Sequence, residues 1–392
     1  MSISAYTTYN KGRKKSGLWR SLRLLGPSQG GRTLIAGRSV LNFSSNDYMG
    51  LANHPALIAK SNEWTQKWGT GSTASRLVCG NMELFYEVEQ RLIKGKGGEA
   101  ALIFGSGFGA NSSILSALLD RQILKEQPQV FSDRLNHASM HHGCRAAGVR
   151  QIRYRHNDLN HLEDLLKKSK EGPKFILSET VFSMDGDRAD VAGLLALKER
   201  YGAFLYLDEA HAAGVLGPSG MGLAFEHEEK ADLVMGTFSK GLGGFGAYCI
   251  CSEELKNFLI NHCSGFIFAT ALPPGVLGAM AAALDMLPGM DETRKNLLAQ
   301  GERLRGALVG AGLDVGNSTT QIVPVILADN HRCLGVSSFL EKRGMLGVAI
   351  RPPAVPAGKS RLRLSLTANH SSEDIDQLIN GVIQGVAEVD GS

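Results

Sequence analysis

From about residue 100 onward, short apolar runs alternate with longer amphipathic stretches, and this alternation restricts the fold more than any other feature of the sequence. The amphipathic stretches, such as 159–170 and 191–202, carry Leu and Ala at helical spacing. Strands that alternate with helices predict an α/β fold with a mostly parallel sheet covered by helices. The apolar runs predict strands at 101–104, 129–132, 151–154, 174–180, 203–210, 232–238 and 246–252.

The pattern changes at both ends of this region, so the chain of 392 residues divides into three parts. A single hydrophobic core rarely fills so long a chain. Residues 1–50 predict an N-terminal arm, and residues 51–285 predict the large domain that contains the sheet. Residues 286–392 contain strand-like runs at 320–327 and 361–368 and a closing helix, which predict a smaller α+β domain.

Charge and composition exclude several classes of function. The net charge of +4 is small for this length, which argues against a dedicated nucleic-acid-binding protein. The N-terminus lacks the apolar core of a signal peptide, and no run of about 18 apolar residues could span a bilayer. We therefore expect a cytoplasmic protein that does not bind to or span a membrane. The six cysteines form no C-x-x-C pair, so we expect neither a disulfide nor a metal site.

The stretch TFSKGLGGFG at 237–246 allows two interpretations. Gly241, Gly243 and Gly246 fit the dinucleotide fingerprint G-x-G-x-x-G, whereas Lys240 stands where a lysine can form a Schiff base. The fingerprint requires a helix after the glycines and an acidic residue about 20 positions later. A strand-like run follows instead, and the acidic residue is missing. The glycines therefore predict a tight turn beside a bound ring.

The letters DEAH at 208–211 match a signature of some nucleic-acid helicases. Such an NTPase also needs the phosphate loop G-x-x-x-x-G-K-[S/T]. The nearest match, GPSQGGRT at 26–33, has Arg32 where the lysine is required, and it neither follows a clear strand nor opens a clear helix. The helicase interpretation therefore fails.

Asp208, His211 and Lys240 lie at the carboxyl ends of two apolar runs and together fit a pyridinium cofactor. A carboxylate can pair with the ring nitrogen and keep it protonated, which makes the ring an electron sink. The histidine can reach the phenolic oxygen, and the lysine can form an imine with the aldehyde and later act as a base. Each residue alone reads as an ordinary polar side chain, and their combination predicts this chemistry.

Further residues extend this candidate site. The stretch SGFG at 106–109 follows a strand and opens a helix, so the backbone N–H groups of Gly107 and Phe108 can bind a phosphate. His137 and Ser183 also come directly after strands. The lysines and arginines at 11–23 fit either a solvated arm or the entrance for an anionic substrate, and the sequence leaves both open.

Eight longer motifs extend over most of the chain: LNFSSNDYMGLANHP (41–55), SRLVCGN (75–81), SGFGAN (106–111), DRLNHAS (133–139), ETVFSMDGD (179–187), LDEAHAAGVLGPSGMG (207–222), TFSKGLGG (237–244) and IRPPAVPAGKSRLRLSLTANH (350–370). With these motifs, the sequence from about Arg20 to the C-terminus resembles the α-oxoamine synthases, which are fold-type I enzymes that use pyridoxal 5'-phosphate. This resemblance implies a large domain with a mostly parallel seven-stranded sheet and a smaller α+β C-terminal domain.

The resemblance implies roles at the reacting end of the cofactor. Lys240 would hold the cofactor covalently, and Asp208 would contact its ring nitrogen. His211 and Ser183 would lie near the phenolic oxygen. His137 would stack on the ring and contact the substrate. The implied catalytic residues are Lys240, His137, Asp208 and His211.

The resemblance also implies a phosphate end and a partner subunit. Gly107, Phe108 and Thr237 would serve the phosphate end of the cofactor. Thr270 would reach the phosphate that is bound to the neighbouring subunit, so the resemblance implies a homodimer.

The substrate residues that the resemblance implies lie near both ends of the chain. Asn46, Arg351 and Arg363 would bind the carboxylate of the amino acid, and Arg20 matches a basic position that contacts substrate. The members of the family that this sequence most resembles usually have threonine after IRPP, and this sequence has Ala354. The missing hydroxyl leaves the acyl-chain preference open.

The last motif, at 350–370, most resembles the branch of the family that joins L-alanine to a pimeloyl thioester in biotin biosynthesis. The expected substrates are L-alanine and either pimeloyl-CoA or pimeloyl-acyl-carrier protein. Sibling enzymes of the glycine C-acetyltransferase, 5-aminolevulinate synthase or serine palmitoyltransferase type are the alternative, because they use the same cofactor with another amino acid or acyl thioester.

Overall fold

The computed structural model describes residues 3–227 and 229–391, which form two compact units. The large unit comprises Asp47–Ser183 and Arg188–Arg294, and the small unit comprises Met1–Asn46, Met184–Asp187 and Lys295–Ser392. The domain borders predicted after residues 50 and 285 stay a prediction. Positions 1, 2, 228 and 392 of the predicted domains lie outside the described residues.

The strands are, in chain order, β1 (Ser28–Gln29), β2 (Arg32–Ile35), β3 (Arg38–Asn42), β4 (Ala100–Phe104), β5 (Gln129–Asp133), β6 (Gln151–Tyr154), β7 (Lys174–Glu179), β8 (Phe204–Asp208), β9 (Leu233–Thr237), β10 (Ala247–Cys251), β11 (Ile322–Ala328), β12 (Met345–Leu346), β13 (Val348–Ile350) and β14 (Ser360–Ser365). The helices are α1 (Ser4–Lys15), α2 (Pro55–Trp68), α3 (Glu83–Lys96), α4 (Gly107–Leu118), α5 (Arg121–Leu124), α6 (Ala138–Ala146), α7 (Leu159–Lys167), α8 (Val191–Tyr201), α9 (Glu253–His262), α10 (Ser264–Ile267), α11 (Pro274–Met286), α12 (Asp291–Gly310), α13 (Asn330–Lys342) and α14 (Ser372–Asp390).

The large unit is built on a seven-stranded sheet with the order β4-β10-β9-β8-β7-β5-β6. Strands β5 to β9 pair in parallel, and β10 pairs antiparallel with both of its neighbours. Each of these strands coincides with one of the predicted apolar runs, so the predicted sheet is confirmed. Every residue of β4, β9 and β10 is buried, as expected where helices cover both faces of a sheet.

The strand register aligns several chemistry-bearing residues at one edge of this sheet. Glu179 at the end of β7 lies opposite Asp208 at the end of β8, and Asp208 lies opposite Met235 of β9. Because β10 is antiparallel, its first residue, Ala247, lies at this same edge opposite Thr237. The carboxyl edge of the sheet therefore carries the segments that the sequence singled out.

A large apolar cluster stabilises this arrangement. Side chains of the sheet pack against α4, α6 and the region of α9 and α10, with Leu102, Ile114 and Cys249 fully buried. Full burial of one Leu or Phe side chain contributes about 1.5–3 kcal/mol. Helices α4 and α6 pack against each other, so the first turns of both helices are fixed beside the sheet edge.

The small unit contains two small sheets, with the orders β1-β2-β3-β12 and β11-β14-β13. The predicted strands at 320–327 and 361–368 correspond to β11 and β14, and the predicted closing helix corresponds to α14. Ser371 and Asp374 form a capping box that defines where α14 begins. Helix α1 has no buried residue.

Among the described residues, no helix combines the length and the apolar character that crossing a bilayer requires.

Candidate active site

Asp208 is a buried carboxylate at the carboxyl edge of the large sheet, with only 4% of its surface exposed. Its Oδ2 accepts a hydrogen bond from Asn111 Nδ2 at 2.7 Å, and its Oδ1 accepts one from the backbone N–H of Ala210 at 2.8 Å. Hydrogen bonds to an ionised acceptor are stronger than those between neutral groups. These two donors therefore hold both oxygens of the Asp208 carboxylate in place.

Asn111 is held in one orientation by its own partners. The hydroxyl of Tyr206 donates to Asn111 Oδ1 at 2.7 Å, which turns Nδ2 toward Asp208 and toward Ser139 Oγ at 2.9 Å. Ser139 Oγ lies in turn 2.7 Å from His137 Nδ1. A continuous hydrogen-bonded chain thus connects Asp208 with His137.

Lys240 lies in the turn between β9 and β10, and its Nζ is 2.9 Å from His211 Nε2. The other ring nitrogen of His211, Nδ1, is 2.6 Å from the hydroxyl of Tyr48. His211 and Tyr48 are both buried. This chain of contacts fixes the imidazole ring and with it the lysine amine. The strand-like run predicted after Gly246 is β10, which agrees with a turn rather than a dinucleotide fingerprint.

The N-terminus of α4 forms the other end of the site. Ser106 caps this helix by accepting a hydrogen bond from Gly109 N at 3.1 Å. A Cβ atom on Gly107 would lie 3.8 Å from Cβ of Thr237, so the helix end is close to the end of β9. Exposed backbone N–H groups and the helix dipole make such a terminus suitable for a phosphate. Phe108, in the first turn, is half-exposed.

The remaining residues of the predicted cofactor set have distinct environments. Ser183 is buried and lies in the segment that follows β7. Thr270 is exposed and forms an isolated antiparallel bridge with Ser75. His137 caps α6. The structure thus brings Asp208 together with His137 through hydrogen bonds, Lys240 together with His211, and Gly107 together with Thr237.

Burial and neighbouring charges shift the pKa values of two titratable side chains at this edge of the sheet, Glu179 and His137. Burial raises the pKa of Glu179 well above its ordinary value, and the charge of Asp208 raises it further. Its Oε1 has no hydrogen-bond partner among the described residues. Burial also lowers the pKa of His137, as does the charge of Lys240, against an opposing effect of Asp208. Glu179 and His137 therefore favour their neutral forms.

Sequence reasoning missed several members of the site: Tyr48, Asn111, Ser139, Glu179 and Tyr206. All except Tyr206 lie within the family motifs, but no spacing rule connects them with Asp208 or Lys240. The usable signal for Asn111 is an amide side chain in helix α4, whose other residues are small or apolar. A buried amide needs partners for its donors and acceptor, which points to a polar neighbour.

The predicted substrate residues lie in the small unit. Nη1 of Arg363 donates to Asn46 Oδ1 at 3.0 Å and to Ser365 Oγ at 2.6 Å. Arg20 donates to the carbonyl oxygen of Pro352 at 3.3 Å, and Ala354 is exposed. The structure therefore joins Asn46 with Arg363 and places Arg20 beside the segment that contains Ala354.

Arg351 lies close to the basic N-terminal segment. Its guanidinium donates to the carbonyl oxygens of Gly17 and of Trp19, the latter at 3.3 Å. Burial lowers the pKa of Arg351, and the positive charge of Arg20 adds to this effect. Two like charges near each other favour an anion between or beside them.

The fold and this arrangement can be compared with known proteins. A model of the family described as aminotransferase class I and II matches residues 38–382. The chain belongs to this family. A relative from Magnetococcus marinus, named "Putative 8-amino-7-oxononanoate synthase", is 59% identical over 389 residues, which are 99% of this chain and 98% of the relative. The 8-amino-7-oxononanoate synthase of Gluconacetobacter diazotrophicus is 54% identical over 90% of this chain and 89% of its own.

Among solved structures, a lysine-to-alanine variant of serine palmitoyltransferase from S. paucimobilis, with a bound PLP–myriocin aldimine, superimposes with a TM-score of 0.92. It is 28% identical and matches over 100% of this chain and 98% of its own. The predicted fold-type I class and the resemblance to the α-oxoamine synthases are confirmed by these matches.

The residues of the large unit fit pyridoxal 5'-phosphate. The group needs a carboxylate for its ring nitrogen, an amine for its aldehyde and a cradle for its phosphate. Asp208 is a buried carboxylate with two donors, Lys240 provides an amine next to His211, and the N-terminus of α4 provides backbone N–H groups. The chemistry of these donors and acceptors therefore matches the group.

Proposed function

We propose that the protein joins L-alanine to a pimeloyl thioester, with loss of carbon dioxide, to form 8-amino-7-oxononanoate for biotin biosynthesis. The observation that carries this proposal is the contact between Lys240 and His211 beside the buried carboxylate of Asp208. The relatives named 8-amino-7-oxononanoate synthase, at 54% identity, support the choice of reaction within the family.

The cofactor is pyridoxal 5'-phosphate, as the sequence predicted. When bound, it supplies an electron sink for the electron pair that remains on the α-carbon of alanine. We assign its binding to the residues that the sequence singled out, namely Gly107, Phe108, His137, Ser183, Asp208, His211, Thr237, Lys240 and Thr270.

Asp208 acts through its charge. Its carboxylate would pair with a protonated ring nitrogen, and the hydrogen bonds from Asn111 and Ala210 hold this carboxylate in one orientation. The neighbouring Glu179 has a raised pKa and stays neutral, so it does not compete for the positive charge on that nitrogen. The edge of the sheet thus presents one negative charge where one is needed.

Lys240 acts as the base. Its amine takes the α-proton of alanine, and it returns a proton after carbon dioxide has left. Between these events the α-carbon forms a bond to the thioester carbonyl carbon, the carbon–sulfur bond breaks, and the thiol leaves. His211 Nε2, 2.9 Å from Nζ, holds the amine in position between the two proton transfers.

The small unit supplies positive charge for the substrates. Arg363, oriented by Asn46, binds the carboxylate of alanine together with Arg351, because a guanidinium can make two parallel hydrogen bonds to a carboxylate. Arg20 meets the terminal carboxylate of the pimeloyl chain. Ala354 offers no hydroxyl to the acyl chain, so apolar contact dominates at that position.

A homodimer is part of this proposal. Thr270 is exposed in the single chain, as expected for a residue that serves the cofactor of a second subunit. Phe268, two residues earlier, exposes 83% of its surface. So exposed an apolar side chain is typical of a surface that another subunit covers. Sedimentation of the purified protein should show a dimer, and full activity of a monomer at high dilution would contradict the role of Thr270.

A sibling reaction is the second candidate, because serine palmitoyltransferase structures superimpose with TM-scores of up to 0.92. A thiol-release assay with a grid of amino acids and acyl thioesters separates the two. The proposal predicts that alanine with a pimeloyl thioester is the best pair, and parallel assays with CoA and with acyl-carrier protein identify the carrier. Serine with palmitoyl-CoA as the best pair would establish the sibling reaction instead.

A further inference from the structure

Lys96, the last residue of α3, is a lysine buried inside the large unit. Its side chain exposes 1% of its surface, and Nζ lies 3.1 Å from Oε2 of Glu209, whose side chain is fully buried. Burying two charges costs much free energy unless they are paired and hydrogen-bonded. Neither residue belongs to the cofactor or substrate set, so the pair needs a separate explanation.

The pair fixes one loop at three points. We define the 209–224 loop as the segment from Glu209, which follows Asp208, to Ala224. Glu209 Oε1 accepts a hydrogen bond from the backbone N–H of Ala224 at 2.8 Å, which closes the loop on its own first residue. Lys96 Nζ donates to the carbonyl oxygen of Met221 within the same loop. Both carboxylate oxygens of Glu209 are therefore used.

The environment of Lys96 favours the charged form of its side chain. Burial lowers the pKa of the Lys96 ammonium, but Tyr248 and Glu209 outweigh that effect and raise it above its ordinary value. The rings of Phe225 and Tyr248 lie 5.0 and 5.2 Å from Nζ, which adds cation–π attraction. The ammonium can thus donate to Met221 and Glu209 at the same time.

The middle of the loop touches the turn that carries Lys240. A Cβ atom on Gly241 would lie 2.5 Å from the carbonyl oxygen of Ala213, and one on Gly214 would lie 2.9 Å from the carbonyl carbon of Gly241. The two backbone segments are therefore in direct contact next to Lys240. His211, near the start of the loop, supplies the 2.9 Å contact to Lys240 Nζ.

We propose that Lys96 and Glu209 are positioning residues, which hold the 209–224 loop so that His211 and the Ala213–Gly214 backbone fix the amine of Lys240. The inference rests on the proposed role of Lys240. A purely structural pair would stabilise the large unit without any effect on this amine, so the two roles predict different results for a variant.

The variants are Lys96→Met, which removes the ammonium, and Glu209→Gln, which keeps the volume and the acceptor for Ala224 and removes the charge. The matched control is Glu89→Gln, because Glu89 forms another buried ion pair of the same unit, with Arg76, and accepts from Ile103 N at 3.2 Å. All three variants should lower the melting temperature, Lys96→Met by about 10 °C.

The decisive readout is the pH dependence with which an amine-selective reagent labels Lys240 in the full chain without cofactor, followed by peptide mass spectrometry. An ammonium can only donate, so the His211 tautomer in which Nδ1–H donates to Tyr48 and Nε2 accepts from Nζ stabilises the charged form of Lys240. Loosening the loop should lower the labelling midpoint of Lys240 by about 0.5 to 1 pH unit, the effect of losing one hydrogen bond. The visible absorbance of the reconstituted protein should show a shifted pH titration as well.

The proposal requires a shift in Lys96→Met and a shift in the same direction in Glu209→Gln, with none in Glu89→Gln. If Lys96→Met does not fold, as circular dichroism would show, the double variant Lys96→Met/Glu209→Gln decides, because it removes both charges and leaves the net charge unchanged. An unmoved midpoint in a folded but less stable variant, or an equal shift in the control, overturns the proposal. Failure of the proposed role of Lys240 is recognised separately, because the cofactor would then be attached to another lysine, and failure of the proposed reaction is recognised by the thiol-release assay, which does not depend on this pair.

Discussion

Nε2 of His211 lies 2.9 Å from Nζ of Lys240, although 29 residues separate them in the sequence. His211 follows β8 and Lys240 follows β9, and these strands are parallel neighbours whose carboxyl ends meet at one edge of the sheet. The contact therefore depends on the register of two strands rather than on a local motif. It gives the lysine amine a fixed partner at the sheet edge where β8 ends in Asp208.

Replacing Asp208 with asparagine should remove catalysis while keeping the fold. The change is nearly isosteric, but the ring nitrogen loses its charged partner, so removal of the α-proton becomes much slower. We expect exchange of the α-proton of alanine with deuterated solvent to fall by on the order of 100-fold or more, as measured by NMR. Exchange at the wild-type rate would exclude Asp208 as the partner of the nitrogen.

Replacing Asn111 with alanine should lower the free energy of unfolding of the cofactor-free protein and should also lower its affinity for the cofactor. The change leaves Asp208 Oδ2 and the hydroxyl of Tyr206 without their shared partner, at a cost of about 1–3 kcal/mol in the free energy of unfolding. Urea denaturation and titration with pyridoxal 5'-phosphate measure the two effects. The control is Asn261→Ala, because Asn261 lies exposed on α9 and donates to Asn257 O one turn earlier. Equal cofactor affinity in both variants would argue against the network.

The small unit should lose stability in acid because of His370. Burial lowers the pKa of this imidazole to about 4 in the folded protein, against about 6.5 in the unfolded chain. Its contribution to the free energy of unfolding is therefore fully present above pH ~6.5 and is lost as the pH falls toward 4. The loss between these values is about 3 kcal/mol. Between these values the pH dependence of unfolding should be weaker in His370→Asn than in the wild type.

The matched control for that measurement is His331→Asn, since His331 is exposed in the same unit. It should leave the pH dependence unchanged. If His370→Asn shows the wild-type slope between pH 4 and 6.5, proton binding by His370 does not contribute to acid unfolding.

The Arg20→Ala variant should bind the acyl substrate more weakly, while its binding of the amino-acid substrate, L-alanine, should change less. Losing a charge-assisted hydrogen bond to the terminal carboxylate costs about 1–3 kcal/mol, which raises the KM for a pimeloyl thioester about 5- to 150-fold. A heptanoyl thioester has the same length without the terminal charge and should show a smaller loss. Arg23→Ala is the control variant, because Arg23 lies in the same segment and pairs with Glu341 at 2.8 Å. Equal losses with both thioesters would contradict this role.

Local patterns predicted most of the large sheet, because its strands are short apolar runs with clear helical stretches between them. The pairing of β3 with β12 could not be predicted in this way. Leu41 lies opposite Met345 in this pairing, and contacts over such distances leave no periodic signal in either segment. The N-terminal region, predicted only as an arm, contains α1 and strands β1 to β3.

The candidate site shows the same division. Asp208, His211 and Lys240 were identified because each follows an apolar run, so strand geometry alone brings them to one edge. Tyr48 and Asn111 were missed because their roles depend on partners that are distant in the sequence, His211 and Asp208. Buried polar networks are fixed by three-dimensional packing, and a linear pattern reveals their members only as unusual polar residues in apolar surroundings.

The most direct test of the account is to locate the covalent attachment of the cofactor. The protein reconstituted with pyridoxal 5'-phosphate is reduced with borohydride, digested and mapped by mass spectrometry, beside Lys240→Ala and an exposed control, Lys11→Ala. We predict that the label lies on Lys240 in the wild type and in the control, and that Lys240→Ala carries no label and releases no thiol from the substrates. A label on any other lysine of the wild type would contradict the central claim.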